Sequence, residues 1–287
     1  MTPKPLRGIG PTEVDRPRSP GLTTMALDRV RDYWDRAHDA YLTHVGTTFQ
    51  AGRIAVGASM RDSNLWLARA AGLEKHRRVL DAGCGVCGPG IDIASEMPGL
   101  RLVGLTVSPR QTATALQLIR DAGLSARIHV VNGDYHALPF GDRSFDTVLF
   151  LESVGYADNL AQLFAGVYRV LRPGGSLYVK DVFRREHLWS DQEGQELAEF
   201  DRVYAQRTPT LEECARAATT VGFTEIRTRD LSNIVSTAHG RRAMFDGEGE
   251  GTLSSFGRLH HHRHSCLPVY FGELTAVTPT RETHERG

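Results

Sequence analysis

Hydrophobic positions follow three regimes along the chain. Residues 1–24, MTPKPLRGIGPTEVDRPRSPGLTT, are dense in Pro, Gly and Arg. They hold too little apolar surface to offset the entropy of ordering, so a disordered tail is expected there. From Met25 the pattern turns helical: Leu27, Val30, Tyr33, Trp34, His38 and Tyr41 recur near helical spacing in MALDRVRDYWDRAHDAYLTHV. A second helix is predicted over 58–71, where Leu65, Trp66 and Leu67 supply the apolar face.

The third regime is an alternation of strands and helices. RRVLDAG, LRLVGLTV, ARIHVVNGD, SFDTVLFLE and GGSLYVKDVF read as strands, separated by the helical stretches PGIDIASEM, RQTATALQLIRDAG and LAQLFAGVYRVL. Such alternation predicts an α/β fold with a parallel, doubly wound sheet. Beyond Phe183 the rhythm loosens into a helix (TLEECARAATTVG), a strand (FTEIRTRDL) and a final strand (PVYFGELTAVT), with an irregular, histidine-rich segment over roughly 231–266. The sequence holds no internal repeat.

Composition narrows the function classes. The 287 residues include 34 Lys plus Arg and 34 Asp plus Glu, a formal charge of zero. That balance argues against bulk electrostatic binding to nucleic acid or to an anionic membrane surface. No apolar run approaches the roughly 18 residues that a membrane span needs. The N-terminus lacks a signal-peptide core, so a cytoplasmic protein with no integral membrane contact is expected. Four cysteines, Cys84, Cys87, Cys214 and Cys266, are too few and too scattered for a disulfide framework. Cys84 and Cys87 form a CxxC pair inside a glycine loop, where packing of small side chains is a better reading than redox chemistry or zinc.

That loop, VLDAGCGVCGPG at 79–90, raises the central question. From Gly83 it spells G-x-G-x-x-G, the phosphate-cradling pattern of dinucleotide enzymes. Two features oppose a dinucleotide. Asp81 precedes the glycines at the strand end, where a carboxylate repels a pyrophosphate and suits a cationic cofactor. The next strand ends on Thr106, followed by Gln111, where a dinucleotide enzyme needs an acid for its ribose. A hydroxyl and a carboxamide can share that ribose contact without a charge.

At this point DAGCG (81–85) resembles motif I of the class I S-adenosylmethionine (SAM) methyltransferases. NGDYHALPFGDRSFDTV (132–148) resembles their adenine-binding turn and the strand after it, and LRPGGSLYVKD (171–181) their post-core motif, where proline and two glycines turn the chain into the next strand. The resemblance runs from about Tyr33 to the end of the chain. It implies a Rossmann-like, seven-stranded methyltransferase sheet with N-terminal cap helices and a late antiparallel strand. The expected organisation is a tail (1–24), a helical cap (25–75) and a catalytic domain (76–287) with substrate-covering insertions near 184–210 and 231–266. SAM is the implied cofactor and S-adenosyl-L-homocysteine its product. Gly83 and Gly85 would admit the cofactor to the backbone, and Asp81 would act on its amino group, directly or through water. Thr106 and Gln111 would take the ribose, Asp134 the adenine amino group, and Tyr135 the ring face, unless Tyr135 is a plain surface aromatic. Tyr33, in the cap, would meet the SAM carboxylate or sulfonium.

GLTVSPRQ, with Thr where many members carry an acid, resembles the sterol, tocopherol, cyclopropane-fatty-acid and isoprenyl C-methyltransferases. YWDRAHDAYLTHVG resembles that branch's cap helix, and LESVGY places Glu152 and Tyr156 where isoprenyl C-methyltransferases carry a Glu and an aromatic. Tyr41 falls at their pocket tyrosine. An alkene attacking the SAM methyl becomes a carbocation, which aromatic faces stabilise without capturing, each by about 1–2 kcal/mol when desolvated. A carboxylate such as Glu152 stabilises the same charge or removes a proton. Tyr33, Trp34, Tyr41, Tyr156 and Trp189 are the candidate aromatic wall. Glu152 also reads as a helix cap or an arginine partner, and Trp34 and Trp66 as core residues.

The implied activity is C-methylation of an isoprenoid alkene, on a prenyl diphosphate or a prenylated metabolite such as an indole alkaloid, through a cation open to cyclisation. An O- or N-methyltransferase using His38, His44 or His136 as base is the alternative enzyme. A SAM-binding protein without catalysis is the alternative of another class. In LHHHRHSC, His260, His264 and Cys266 have ligand chemistry, but carbocation chemistry needs no metal and none is expected. Arg241, Arg242, Arg258 and Arg263 read either as flanks of the pocket entrance that meet an anionic head group or as solvated charges. The cap helix, amphipathic and attached to a loose tail, suits exchange between subunits of a homo-oligomer.

Overall fold

A computed structural model describes residues 24–54, 59–187, 190–236 and 268–280. The elements run α1 (Thr24–His44), β1 (Arg53–Ile54), α2 (Met60–Ala70), β2 (Arg78–Ala82), α3 (Gly88–Glu96), β3 (Arg101–Thr106), α4 (Pro109–Asp121) and β4 (Ile128–Asn132). They continue with β5 (Phe145–Leu151), α5 (Leu160–Val170), β6 (Leu171–Arg184), α6 (Asp191–Val203), α7 (Leu211–Val221), β7 (Thr224–Asp230), β8 (Val235–Ser236) and β9 (Val269–Val277). Among the described residues the main sheet has seven strands in the order β4-β3-β2-β5-β6-β9-β7. β4, β3, β2, β5 and β6 are mutually parallel; β9 runs antiparallel to β6 and to β7. The late antiparallel strand expected from the sequence is therefore β9.

Side-chain parity decides which helices cover which face, because successive strand residues point to opposite sides. Leu80, Val103, Val148, Phe150, Leu177 and Val179 pack with Phe164 and Val167 of α5 and Cys214 and Ala218 of α7. The alternate positions Val79, Leu102, Leu149 and Tyr178 pack with Leu67 of α2, Ile93 of α3 and Ile119 of α4. The result is a three-layer sandwich in which both faces of the parallel strands are dry. The outer strand β7 carries Glu225, Arg227, Arg229 and Asp230, charges that protect an exposed edge from pairing with another chain.

Three local features depart from the sequence reading. LRPGG does not precede the strand but lies inside it: Leu171 pairs with Phe145 and Ser176 with Thr147, so residues 172–175 bulge out between them. α6 was not foreseen. Its sequence is mostly polar, only Phe200 is buried, and a capping box between Ser190 and Glu193 starts it. β1 and β8 form a separate two-stranded ribbon, too short to leave a periodic signal. Trp189, the histidine-rich segment, and Arg241, Arg242, Arg258 and Arg263 lie outside the described residues.

The strand order reverses between β2 and β5, with β3 and β4 to one side and β6 to the other. Open α/β sheets bind ligands in the crevice beyond the carboxyl ends of the strands at such a switch point. Here Asp81 lies one residue before the end of β2 and Glu152 follows β5.

Candidate active site

After β2 the chain turns through Gly83, whose N–H and that of Cys84 donate to the Leu105 carbonyl at 2.8 and 3.0 Å. Gly83 has φ +90°, and a Cβ there would sit 2.4 Å from the Ser153 Cβ, so glycine is required on both counts. Gly88, the third glycine of the pattern, starts α3. A Cβ on it would meet the Thr47 carbonyl at 2.2 Å, so its absence lets the segment after α1 cross the loop. Cys84 and Cys87 are buried, and the Cys84 Sγ fills the space that a Cβ on Gly104 would take. The hydrogen bond to Cys87 together with burial pushes the Cys84 thiol well up, which leaves it unreactive. Among the described residues no group of three or more His, Cys, Asp or Glu is arranged to hold a metal ion.

Two of the carboxylates on the cavity wall are held in opposite ways. Asp81 is 2% exposed, its Oδ1 has no protein partner, and burial pushes it up to about 7. Glu152 pairs with the fully buried Lys180 and accepts the backbone N–H of Ala51 at 2.6 Å and of Gly52 at 3.1 Å. Lys180 also donates to the Gly52 carbonyl at 2.5 Å and to Gln50 Oε1 at 3.4 Å. Lys180 thus ties Glu152 to the 50–52 segment in one network. The cation that Glu152 meets is this lysine, not the arginine allowed by the sequence reading. Lys180 and Gln50 were not singled out from the sequence: each stands alone in its local pattern, and only the fold brings them to residue 152.

Thr106 donates to Gln111 Oε1 at 2.6 Å, and both line the cavity. Asp134 lines it too, with Oδ1 accepting from the His136 backbone at 2.9 Å and paired with His136 Nδ1 at 2.6 Å. Tyr135 is buried, not a surface aromatic, and donates to the Ser153 carbonyl at 2.8 Å. Three buried polar atoms without a protein partner, Asp81 Oδ1, Gln50 Nε2 and His136 Nε2, belong to residues on this one cavity wall. Buried polar groups are almost always satisfied, so this convergence fits a ligand that offers hydrogen-bonding groups and positive charge.

The aromatic wall differs from expectation by one helix position. Leu27, Val30 and Trp34 of α1 line the cavity with Phe49 and Tyr156. Trp34 stacks on Phe49 at 6.0 Å and meets Tyr156 edge-on at 6.0 Å. Tyr33 and Tyr41 do not line the cavity. They face Phe200 and Tyr204 in a buried cluster, with their hydroxyls 3.3 Å apart. Residues 33, 37 and 41 form one stripe and 27, 30 and 34 the next, about 100° round the helix. Periodicity defines such stripes but not which of them faces the cavity. α1 is fastened to α4 by Ser108 on Asp35, by Arg110 on Asp39 at 2.8 Å and by His38 on Thr114 at 2.9 Å. His38 and His44 are not on the cavity wall; His136 is.

Residues 79–175 match the family described as a methyltransferase domain. The 24-methylenesterol C-methyltransferase 2 of Oryza sativa subsp. japonica is 31% identical over 229 residues, covering 76% of this chain and 62% of that protein. The chain spans about half the length of the curated sterol C-methyltransferases it matches, 40% and 55% of two others. Among solved structures, the 4+2 cyclase SpnF superposes with a TM-score of 0.75 at 22% identity, over 88% of this chain and 97% of that one. The geranyl diphosphate C-methyltransferase of Streptomyces coelicolor A3(2) gives 0.68 at 17% identity, over 90% and 99%. At such identities the structural likeness establishes the fold alone, and the sequence match places a methyltransferase domain at residues 79–175.

Proposed function

We propose that the chain is a SAM-dependent C-methyltransferase acting on an alkene carbon of an isoprenoid. The observation that carries this reading is the composition of the cavity wall, where unpartnered buried polar groups adjoin an aromatic face and a fixed carboxylate. Asp81 would hold the cofactor's ammonium group, Thr106 and Gln111 its ribose, and Asp134 and Tyr135 its adenine. The N-terminus of α3, which no side chain caps, would face its carboxylate. SAM bound there would supply an electrophilic methyl group.

The acceptor would lie against Trp34, Phe49 and Tyr156, whose ring faces favour the positive charge that develops on it. Tyr33 and Tyr41 would support Trp34 from behind. Glu152 has about four lone-pair sites and three are used by Lys180, Ala51 and Gly52. It would present a fixed negative charge to the cation, with the last site on Oε2 left for a departing proton. The cavity between these walls is small, about 70 Å³, and α1 forms one of its sides. α1 and the segments near 184–210 and 231–266, including Trp189, would then close over the substrate.

Sterol C-methyltransferases among the relatives and a geranyl diphosphate C-methyltransferase among the fold neighbours support an isoprenoid acceptor. A prenyl diphosphate and a prenylated metabolite such as an indole alkaloid are its two forms, and cyclisation of the cation stays part of the proposal. A second reading, an O- or N-methyltransferase, is favoured by the Asp134–His136 pair on the cavity wall, which has the geometry of an oriented base.

Turnover with methyl-deuterated SAM against prenyl diphosphates, prenylated indoles and phenols, read by mass spectrometry and carbon NMR, tests the proposal. Label on an alkene-derived carbon is expected. Label on oxygen or nitrogen would replace it with the second reading, and tight cofactor binding with no labelled product would leave a SAM-binding protein.

A further inference from the structure

The opposite end of the sheet holds a second cleft, of about 650 Å³, around Lys75, Arg77, Arg78, Arg101, Arg172 and Asp146. It sits at the amino ends of β2, β3 and β5, away from Asp81 and Glu152 at the carboxyl ends. Five cations here face one carboxylate, in a chain whose charges balance overall at 34 and 34.

That carboxylate is already engaged. Asp146 Oδ2 accepts the backbone N–H groups of Arg77 at 3.1 Å and Arg78 at 2.8 Å, and Oδ1 accepts from Arg172 Nη1 at 2.6 Å. Arg172 matches its charge. Among the described residues Lys75, Arg77, Arg78 and Arg101 have no ion-pair partner. The strand register then brings like charges together: Arg78 and Arg101 are Cα partners in adjacent parallel strands, and Arg101 N donates to the Arg77 carbonyl at 2.7 Å. Neighbouring strands lie about 4.8 Å apart, and like charges directly opposite each other destabilise a sheet. Among the described residues no acidic side chain pairs with either of them. The described lining of the cleft is left with four cations that no described carboxylate pairs.

We propose that this cleft binds a compact, multiply charged phosphate anion of the diphosphate or triphosphate class. Guanidinium groups present paired N–H donors that match phosphate oxygens, and several of them around one concavity favour a small ligand of high charge. His76, on the lining, is anchored behind it: its Nδ1 meets the buried Thr147 Oγ1, and Thr147 meets Ser176 Oγ at 3.0 Å. A nucleic-acid track would need the basic surface to extend well beyond the cleft, which a neutral chain does not favour.

Calorimetric titration of the full chain with inorganic triphosphate tests this. Micromolar binding is expected, weakening about tenfold as salt rises past the point where the Debye length falls below about 8 Å. The variant Arg77→Gln/Arg78→Gln/Arg101→Gln should lose at least tenfold in affinity and, freed of repulsion, should melt no lower than its parent. Arg101→Gln alone, at an exposed position, keeps the test intact if the triple variant fails to fold. Arg202→Gln/Arg216→Gln, which removes exposed cations paired within α6 and α7, should bind as the parent does. Burial holds His76 low, opposed by Asp146 and aided by Lys75, so triphosphate in the cleft should raise its titration midpoint by NMR. No binding at millimolar triphosphate, binding that the triple variant retains, or binding only to phosphatidic-acid vesicles or duplex DNA would each overturn the assignment.

Discussion

At the carboxyl ends of β2 and β5 a buried carboxylate, Asp81, and a half-buried one, Glu152, lie beneath aromatic side chains, whereas at the amino ends of the same strands arginines gather around one engaged aspartate in contact with solvent. The contrast follows from how each end is enclosed. α1 and the 47–52 segment cover the carboxyl ends and remove water, so every polar group there must find a partner or remain unsatisfied. Among the described residues nothing comparable covers the amino ends, and water with salt tempers the repulsion between cations. An unmet charge is costly at the first end and inexpensive at the second. Asp81, unpartnered under cover, is therefore the stronger pointer to a ligand.

Removing Lys180 should disturb the covered end most. Lys180→Met leaves Glu152 buried with no cation and should cost about 3–5 kcal/mol of stability in urea unfolding. Lys180→Met/Glu152→Gln should recover most of that loss; a double variant as unstable as the single one would show that Lys180 acts through packing alone.

Asp81→Asn should weaken SAM binding by about a hundredfold while raising the melting temperature of the ligand-free chain at pH 8. The sign comes from burial, which lifts Asp81 from 3.8 to about 7 in the folded chain. Its stabilising contribution is full below pH 4 and is lost as pH rises through 7, where the buried carboxylate ionises. Asp181, also pushed up to about 7 chiefly by burial, contributes the same trend in both proteins, so their difference isolates Asp81. A cationic ligand favours the ionised form, so affinity should strengthen by up to about tenfold per pH unit toward 7 and then level off. A flat profile in the parent would remove Asp81 from the cofactor site.

The smallest effect separates two neighbours on α1. Trp34→Ala should lower kcat/KM by at least about tenfold, through lost cation stabilisation and loosened closure. Tyr33→Phe, which removes only a hydroxyl from the buried cluster, should stay within about twofold. Equal losses would restore Tyr33 to the cavity wall. Charge changes at Arg77, Arg78 and Arg101 should leave both readouts unchanged, because the two ends share strands but no side-chain contact that either mechanism uses.

Much of the fold was legible because it rests on short-range regularities. Alternating apolar runs and helical periods locate nearly every strand and helix of the sandwich, and DAGCG marks the switch-point loop. α6 escaped because its polar sequence carries a capping signal without an apolar stripe. The LRPGG stretch was read as a turn, since proline and paired glycines serve a bulge as well as a turn.

Residue types, their order and their local spacing were enough to propose a cationic cofactor beside Asp81 and an aromatic wall near Glu152. Tertiary structure alone decided that Trp34 rather than Tyr33 faces the cavity, that Glu152 is held by Lys180, and that Arg78 stands opposite Arg101. Helical and strand periods fix the angle between neighbouring side chains along one element. Which side is turned inward, and which residue from 28 positions away arrives to meet it, depends on how the elements pack.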